Sequence, residues 1–142
     1  MQVSKILLPI DGSKHSNNAI DYTIYLARLT GAQVTAVCCY DWTGNMHEIV
    51  ETVIDELKEK LQLQSQTILD EAGRKMQIGE VNFVTQSISG SPGTILSKLA
   101  KSKEFDLIIM GSHGHSEIAG LLLGSVTHKV LNTIYCPVLV VP

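Results

Sequence analysis

Over residues 111–125 the chain reads GSHGHSEIAGLLLGS, and here residue types and spacing offer chemistry. Gly111 and Gly114 follow the short apolar run FDLIIM, and Gly124 and Ser125 precede VTHKVLNTIY, which has helical spacing. A strand, a glycine-bearing loop and a helix start in that order make an anion-binding layout. Glycine lets backbone N–H groups approach an oxyanion closely, and a helix N-terminus supplies unpaired N–H donors and a favourable dipole. No Lys follows Gly124, so this is not a Walker loop, and the spacing is not G-x-G-x-x-G. The plainer alternative is that Gly111 and Gly114 only turn the chain while Gly124 and Ser125 only start a helix. Three glycines and a hydroxyl at one strand-to-helix junction favour phosphate binding.

Other chemistry is thinner. Ser125, His113 and Asp11 supply the letters of a Ser/His/Asp set, but no G-x-S-x-G elbow accompanies them. His113 and His115 form H-x-H beside Glu117, with His128 further on. Two histidines without further Cys or Asp ligands are a weak metal signal, and solvated loop histidines are the expectation. Cys38 and Cys136 read as small core residues. Three cysteines make no complete disulfide framework, and the neighbours Cys38 and Cys39 would pair only with strain, so a reduced, cytoplasmic compartment is the default expectation.

The elements that must position these residues alternate. Residues 3–10 read as a strand ending near Pro9, and Asp11, Gly12 and Ser13 as a tight turn. Asp11 has two roles open, as cap of the next helix or as a ligand contact at the strand's carboxyl end. Residues 14–30 form a helix with Ala19, Ile20, Ile24, Ala27 and Leu29 as candidates for its packed side, stopped by Gly31. Residues 33–40 make a second strand, 41–46 a polar loop with Trp42 as ligand cover or loop anchor, and 47–76 a long helix whose charge run from Glu48 to Lys60 is a solvated face. A third strand, EVNFVTQSI, precedes a helix with Ser91 as N-cap and Pro92 at N1, running to about Ser102. Residues 105–110 are the fourth strand, 125–134 the last helix and 137–141 the last strand.

Strands alternating with helices imply a parallel sheet covered on both faces, an α/β fold of one domain over residues 1–142. In such sheets ligands bind beyond the strands' carboxyl ends where strand order reverses; a reversal between strands one and four would make Asp11 and Gly111 neighbours. Of the 142 residues, 44% are hydrophobic and the net charge is −3. The eleven Lys and Arg form no basic run, which argues against a general nucleic-acid binder. No apolar run approaches the ~20 residues of a membrane span, and the opening is not that of a signal peptide.

Three stretches together, ILLPIDGS with Pro9 and Asp11, the Gly111-x2-Gly114-x9-Gly124-Ser125 loop, and the ending CPVLVVP, closely resemble the ATP-binding branch of the universal stress protein family over essentially the whole length. The resemblance implies a Rossmann-like nucleotide-binding α/β fold with strand order 3-2-1-4-5 and a homodimer. It implies that Asp11 lies near the ribose and phosphates, with Pro9 shaping the floor, and that the Cys39 backbone reads the adenine edge. Met110 and Gly111 would border the ribose. Gly114, Gly124, Ser125 and Val126 would wrap the phosphates, with Thr127 close behind. Residues 115–123 depart from the more basic or glycine-rich versions of this insert. ATP with Mg²⁺ is the implied ligand, and a nucleotide-dependent regulatory module the implied role. Without a loop Lys or an arginine finger, slow hydrolysis or nucleotidyl transfer is the alternative, and AMP, a cyclic nucleotide or another metabolite is a third. The implied dimer pairs residues 137–141 of two chains, removing an apolar sheet edge that Pro137 and Pro142 would otherwise have to blunt.

Overall fold

Ile6, Leu7 and Leu8 have no exposed surface at all, so the first strand is covered on both faces. Alternation along it divides the core. Ile6 and Leu8 join Ala19, Ile20, Val34, Ala36, Leu69 and Met76 in one cluster, whereas Leu7 joins Val37, Leu96, Ala100, Ile108 and Val130 in another. A sheet with two apolar faces needs helices on both, and the chain provides them.

The computed structural model describes residues 1–42, 51–116 and 118–142. In chain order it contains β1 (Lys5–Pro9), α1 (Lys14–Thr30), β2 (Gln33–Tyr40), α2 (Glu51–Ile78), β3 (Phe83–Ser89), α3 (Pro92–Lys101), β4 (Leu107–Gly111), α4 (Ser125–Leu131) and β5 (Val138–Val141). All pairings are parallel and the sheet order is β3-β2-β1-β4-β5, as expected. Strand order reverses at β1, between β2 and β4. The crevice therefore opens where the first and fourth strands end. Helices α1 and α2 supply the first core cluster, and α3 and α4 the second. Among the described residues no helix is long and apolar enough to cross a membrane.

Local chemistry sets the boundaries, and several differ from the sequence expectation. Ser13 is the N-cap of α1, its Oγ accepting from the Ser16 N–H, so Asp11 does not cap the helix. Gly31 ends α1 in the left-handed region at φ 73°, where its N–H reaches the Ala27 carbonyl. Leu29 is 66% exposed, not packed. β3 starts at Phe83, after Val81 N–H has closed the end of α2 on the Met76 carbonyl. Pro92 does open α3, but Ser91 makes no side-chain cap. α4 stops at Leu131 rather than at 134, because the Thr133 hydroxyl turns back onto the Val130 carbonyl and the chain swings toward β5. The expected helix start at 47, the loop from 43 to 46 and Glu117 lie outside the described residues.

Asp106 ties β1 to β4 at the far end of the sheet. Its Oδ2 accepts from the Ser4 and Lys5 N–H groups at 2.8 and 2.9 Å, which hold its carboxyl below the usual range.

Ser97, on α3, is buried, and its hydroxyl has no hydrogen-bond partner among the described residues. Leaving a buried hydroxyl unpaired costs about 1–3 kcal/mol. Ser97→Ala should therefore raise unfolding stability by about 1 kcal/mol in urea titration. A drop would mean that the hydroxyl has a partner such as a buried water.

Candidate functional site

At the carboxyl ends of β1, β2 and β4 lies a cavity of about 470 Å³, within the size range of small-ligand sites. Val37, Leu61, Ile68, Pro92 and Leu96 give it apolar walls, and Asp11, His113, His115, Ser116 and Ser125 give it polar ones. The structure brings together Pro9, Asp11, Cys39, Met110, Gly111, Gly114, Gly124, Ser125, Val126 and Thr127, all of which line this cavity. Trp42 is not in the lining. Its half-buried ring instead lies under Lys58 Nζ, 3.8 Å from the ring centroid, anchoring α2.

The β2 end offers a recognition edge. Ile10 N–H donates to the Val37 carbonyl and Gln33 N–H to the Ser4 carbonyl, whereas Val34 N–H donates to Asn82 and Gly90 N–H to Tyr40. Odd-numbered residues of β2 therefore direct their backbone groups toward β1, and even-numbered ones toward β3. Pro9, opposite Val37, is the last residue of β1. Two residues on, Cys39 directs its N–H and carbonyl past that end, toward the cavity, and no described residue pairs with either. Its side chain packs against the second core cluster instead. Burial, helped by neighbouring Cys38, pushes the Cys39 thiol up to about 12. Burial also raises Cys38, against the Ser65 hydroxyl, and raises Cys136. Burial thus holds all three further from the thiolate form than an exposed cysteine.

The β1 turn and the glycine loop press together. Asp11 Oδ1 accepts from the Ser13 N–H at 2.9 Å, and the Asp11 N–H donates to Ser16 Oγ at 3.1 Å. A Cβ at Gly114 would stand 2.6 Å from Asp11 Oδ2. A Cβ at Gly124 would stand 3.1 Å from His113 Cα, and one at Gly111 would stand 2.8 Å from the His15 carbonyl carbon. Gly111 is thus required by close approach to backbone, Gly124 sits tightly against the His113 backbone, and Gly114 faces only the end of the Asp11 side chain, distinctions that their spacing alone does not reveal.

Helix α4 begins at the cavity without a side-chain cap. Among the described residues the N–H groups of Ser125, Val126 and Thr127 have no acceptor. The Thr127 hydroxyl is used internally, donating to the Gly111 carbonyl at 2.9 Å. Ser125 is exposed.

Sequence reasoning missed what holds the loop. Ser112 Oγ lies 2.9 Å from His113 Nδ1 and 3.3 Å from His15 Nδ1. His113 Nε2 meets the Leu121 carbonyl at 3.0 Å, and His115 Nε2 meets the Asp11 carbonyl. His115 is exposed, as a solvated loop histidine would be, and His113 is half-buried; beyond that expectation, each also ties the loop to a backbone carbonyl. No group of three metal-ligating side chains occurs among the described residues. The α2 wall, with Leu61, Gln64 and Ile68, was also unforeseen, because a helix face turned to a ligand looks like one turned to a core.

A model of the universal stress protein family matches residues 2–142. The Bacillus subtilis universal stress protein YxiE is 33% identical, over 97% of this chain and 98% of its own. The solved UspA from Lactobacillus plantarum shares the fold with a TM-score of 0.91 at 23% identity, covering 100% of this chain and 99% of its own. A universal stress protein solved in complex with cAMP superposes with a TM-score of 0.74 at 26% identity, covering 100% of this chain and 99% of that one.

Proposed function

The chain belongs to the universal stress protein family, and from that premise we propose that residues 1–142 form one ATP-binding regulatory unit. The observation that carries the proposal is the pairing of two unfilled backbone edges across one cavity. Cys39 presents a donor and an acceptor at one wall, and Ser125, Val126 and Thr127 present free N–H groups at another. The first suits the donor–acceptor edge of adenine, and the second suits phosphate oxygens. Pro9 and Met110 floor the space between, Gly111 borders the ribose, and Gly114 and Gly124 let the loop backbone close on the phosphates.

Asp11 fits a Mg²⁺ role. It is a carboxylate beside the loop with only Oδ1 engaged among the described residues, and Mg²⁺ is commonly held by one or two carboxylates plus substrate phosphates. Bound there, the ion would neutralise phosphate charge. A monophosphate or cyclic nucleotide is the second reading, favoured by the relative solved with cAMP. The apolar edge strand β5, partly exposed along Val138–Val140, supports pairing with β5 of a second copy to give a homodimer.

Mass spectrometry of small molecules released from freshly purified, denatured protein, followed by ATP, AMP and cAMP calorimetry on stripped protein, tests the reading. Co-purified ATP and Mg²⁺-dependent rebinding are expected. Tighter cAMP or AMP binding would favour the second reading, and no heat with any of the three would sink both.

A further inference from the structure

We infer that His113 is a positioning residue for the phosphate-facing loop. Its Nε2–H staples the two limbs of that loop at Leu121, and the Ser112 hydroxyl fixes the tautomer that makes the staple. The inference rests on the nucleotide reading above but adds a residue to it.

The proton positions follow from what each partner is able to do. The Leu121 carbonyl only accepts, so His113 Nε2 carries a proton. In the neutral ring Nδ1 is then an acceptor, and the Ser112 hydroxyl at 2.9 Å donates to it. Ser112 has one proton to give. His15 Nδ1, at 3.3 Å, must therefore donate to Ser112. Donation runs one way, from His15 through Ser112 and His113 to the Leu121 carbonyl.

The anchor of this relay is fixed. Ser112 is 8% exposed; its N–H donates to the Val141 carbonyl at 2.7 Å and its carbonyl accepts from the Gly124 N–H at 2.8 Å. The outer limb of the loop is thus tied through one imidazole to the residue that also holds Gly124 against the sheet. Without the staple, Gly114 and Gly124 remain in the chain, but the loop between them loses one of its inward ties. Binding that needs the closed loop is then weakened in proportion to the closed fraction.

The test uses the full chain. Long-range ¹H–¹⁵N spectra of the histidines, without nucleotide, should show the Nε2–H tautomer at His113 and a protonated Nδ1 at His15. An Nδ1–H tautomer at His113 overturns the inference. His113→Leu should speed amide exchange at Gly124 without nucleotide and weaken ATP binding about tenfold. His113→Gln, whose amide N–H can still reach Leu121, should stay within about threefold of the parent. Unchanged exchange and affinity in His113→Leu, or equal losses in both variants, would mean that the staple positions nothing. A parent chain that binds no nucleotide would sink the nucleotide reading instead, while the tautomer and exchange data would still decide the loop's anchor.

Discussion

Ser125→Pro should fold like the parent chain and bind adenine nucleotide about a hundredfold more weakly. Ser125 is the first helical residue of α4, the position where proline costs a helix least. The preceding Gly124 is already extended, at φ −65° and ψ 158°, the conformation that proline imposes on its neighbour. No described residue accepts from the Ser125 N–H, so its removal breaks no internal bond. What disappears is one backbone donor and one hydroxyl facing the cavity. Hydrogen bonds to charged groups contribute about 1.5–3 kcal/mol each, and at an exposed residue the lower figure applies, so two lost donors give about 3 kcal/mol, or about two powers of ten. Ser125→Ala removes only the hydroxyl and should cost about tenfold. Calorimetry with ATP and Mg²⁺ on both variants, alongside their circular dichroism, reads the split. Native spectra with unchanged affinity in the proline variant would remove the α4 N-terminus from the site.

The framework was legible because it follows from patterns local to the chain. The run ILL at 6–8 between turn signals marks a strand buried on both faces, and all three side chains are fully covered. The sheet order came from family resemblance rather than from periodicity. The helix faces were less legible. Leu29 is apolar but lies about 200° around α1 from Ala27, so it points outward, while Thr23, polar in letter, is fully buried with its hydroxyl on the Ala19 carbonyl. At the site, the ten residues named from the sequence do share one cavity, yet the reasons for their types are mostly non-local. The H-x-H letters at 113 and 115 pointed to solvated loop histidines, and His115 is exposed, but their protein partners, a neighbouring hydroxyl and two backbone carbonyls, have no signature in the sequence. Asp11 was similarly opaque: Ser13 took the capping role because its Oγ, not the carboxylate, faces the Ser16 N–H.

Gly111 shows how an apparent binding glycine acts first on the fold, and Gly111→Val should be the most destabilising single change in the loop. A Cβ at this position would stand 2.8 Å from the His15 carbonyl carbon and 2.9 Å from both His15 Cβ and Ser16 N. These are mostly backbone atoms in the first turn of α1, which cannot rotate aside as a side-chain tip can. Relief requires moving α1 away from β4, against the packing of Ala19 and Ile20 in the first core cluster. It would also disturb the Thr127 bond to the Gly111 carbonyl. Overpacking of this kind costs about 1–3 kcal/mol or more, and the branched valine places it at the upper end. For a domain of this size a loss of about 3 kcal/mol lowers the melting midpoint by about 10 °C. Gly114→Ala is the contrast. There the nearest atom is Asp11 Oδ2 at 2.6 Å, the end of a side chain, so the carboxylate swings at the expense of its Ser13 bond and the fold gives little. Thermal unfolding should therefore separate the two glycines, with Gly111 governing stability and Gly114 governing the cavity. Equal melting points for Gly111→Val and the parent would show that α1 yields freely. In that case Gly111 would owe its place in the loop to the ligand rather than to the helix packed against it.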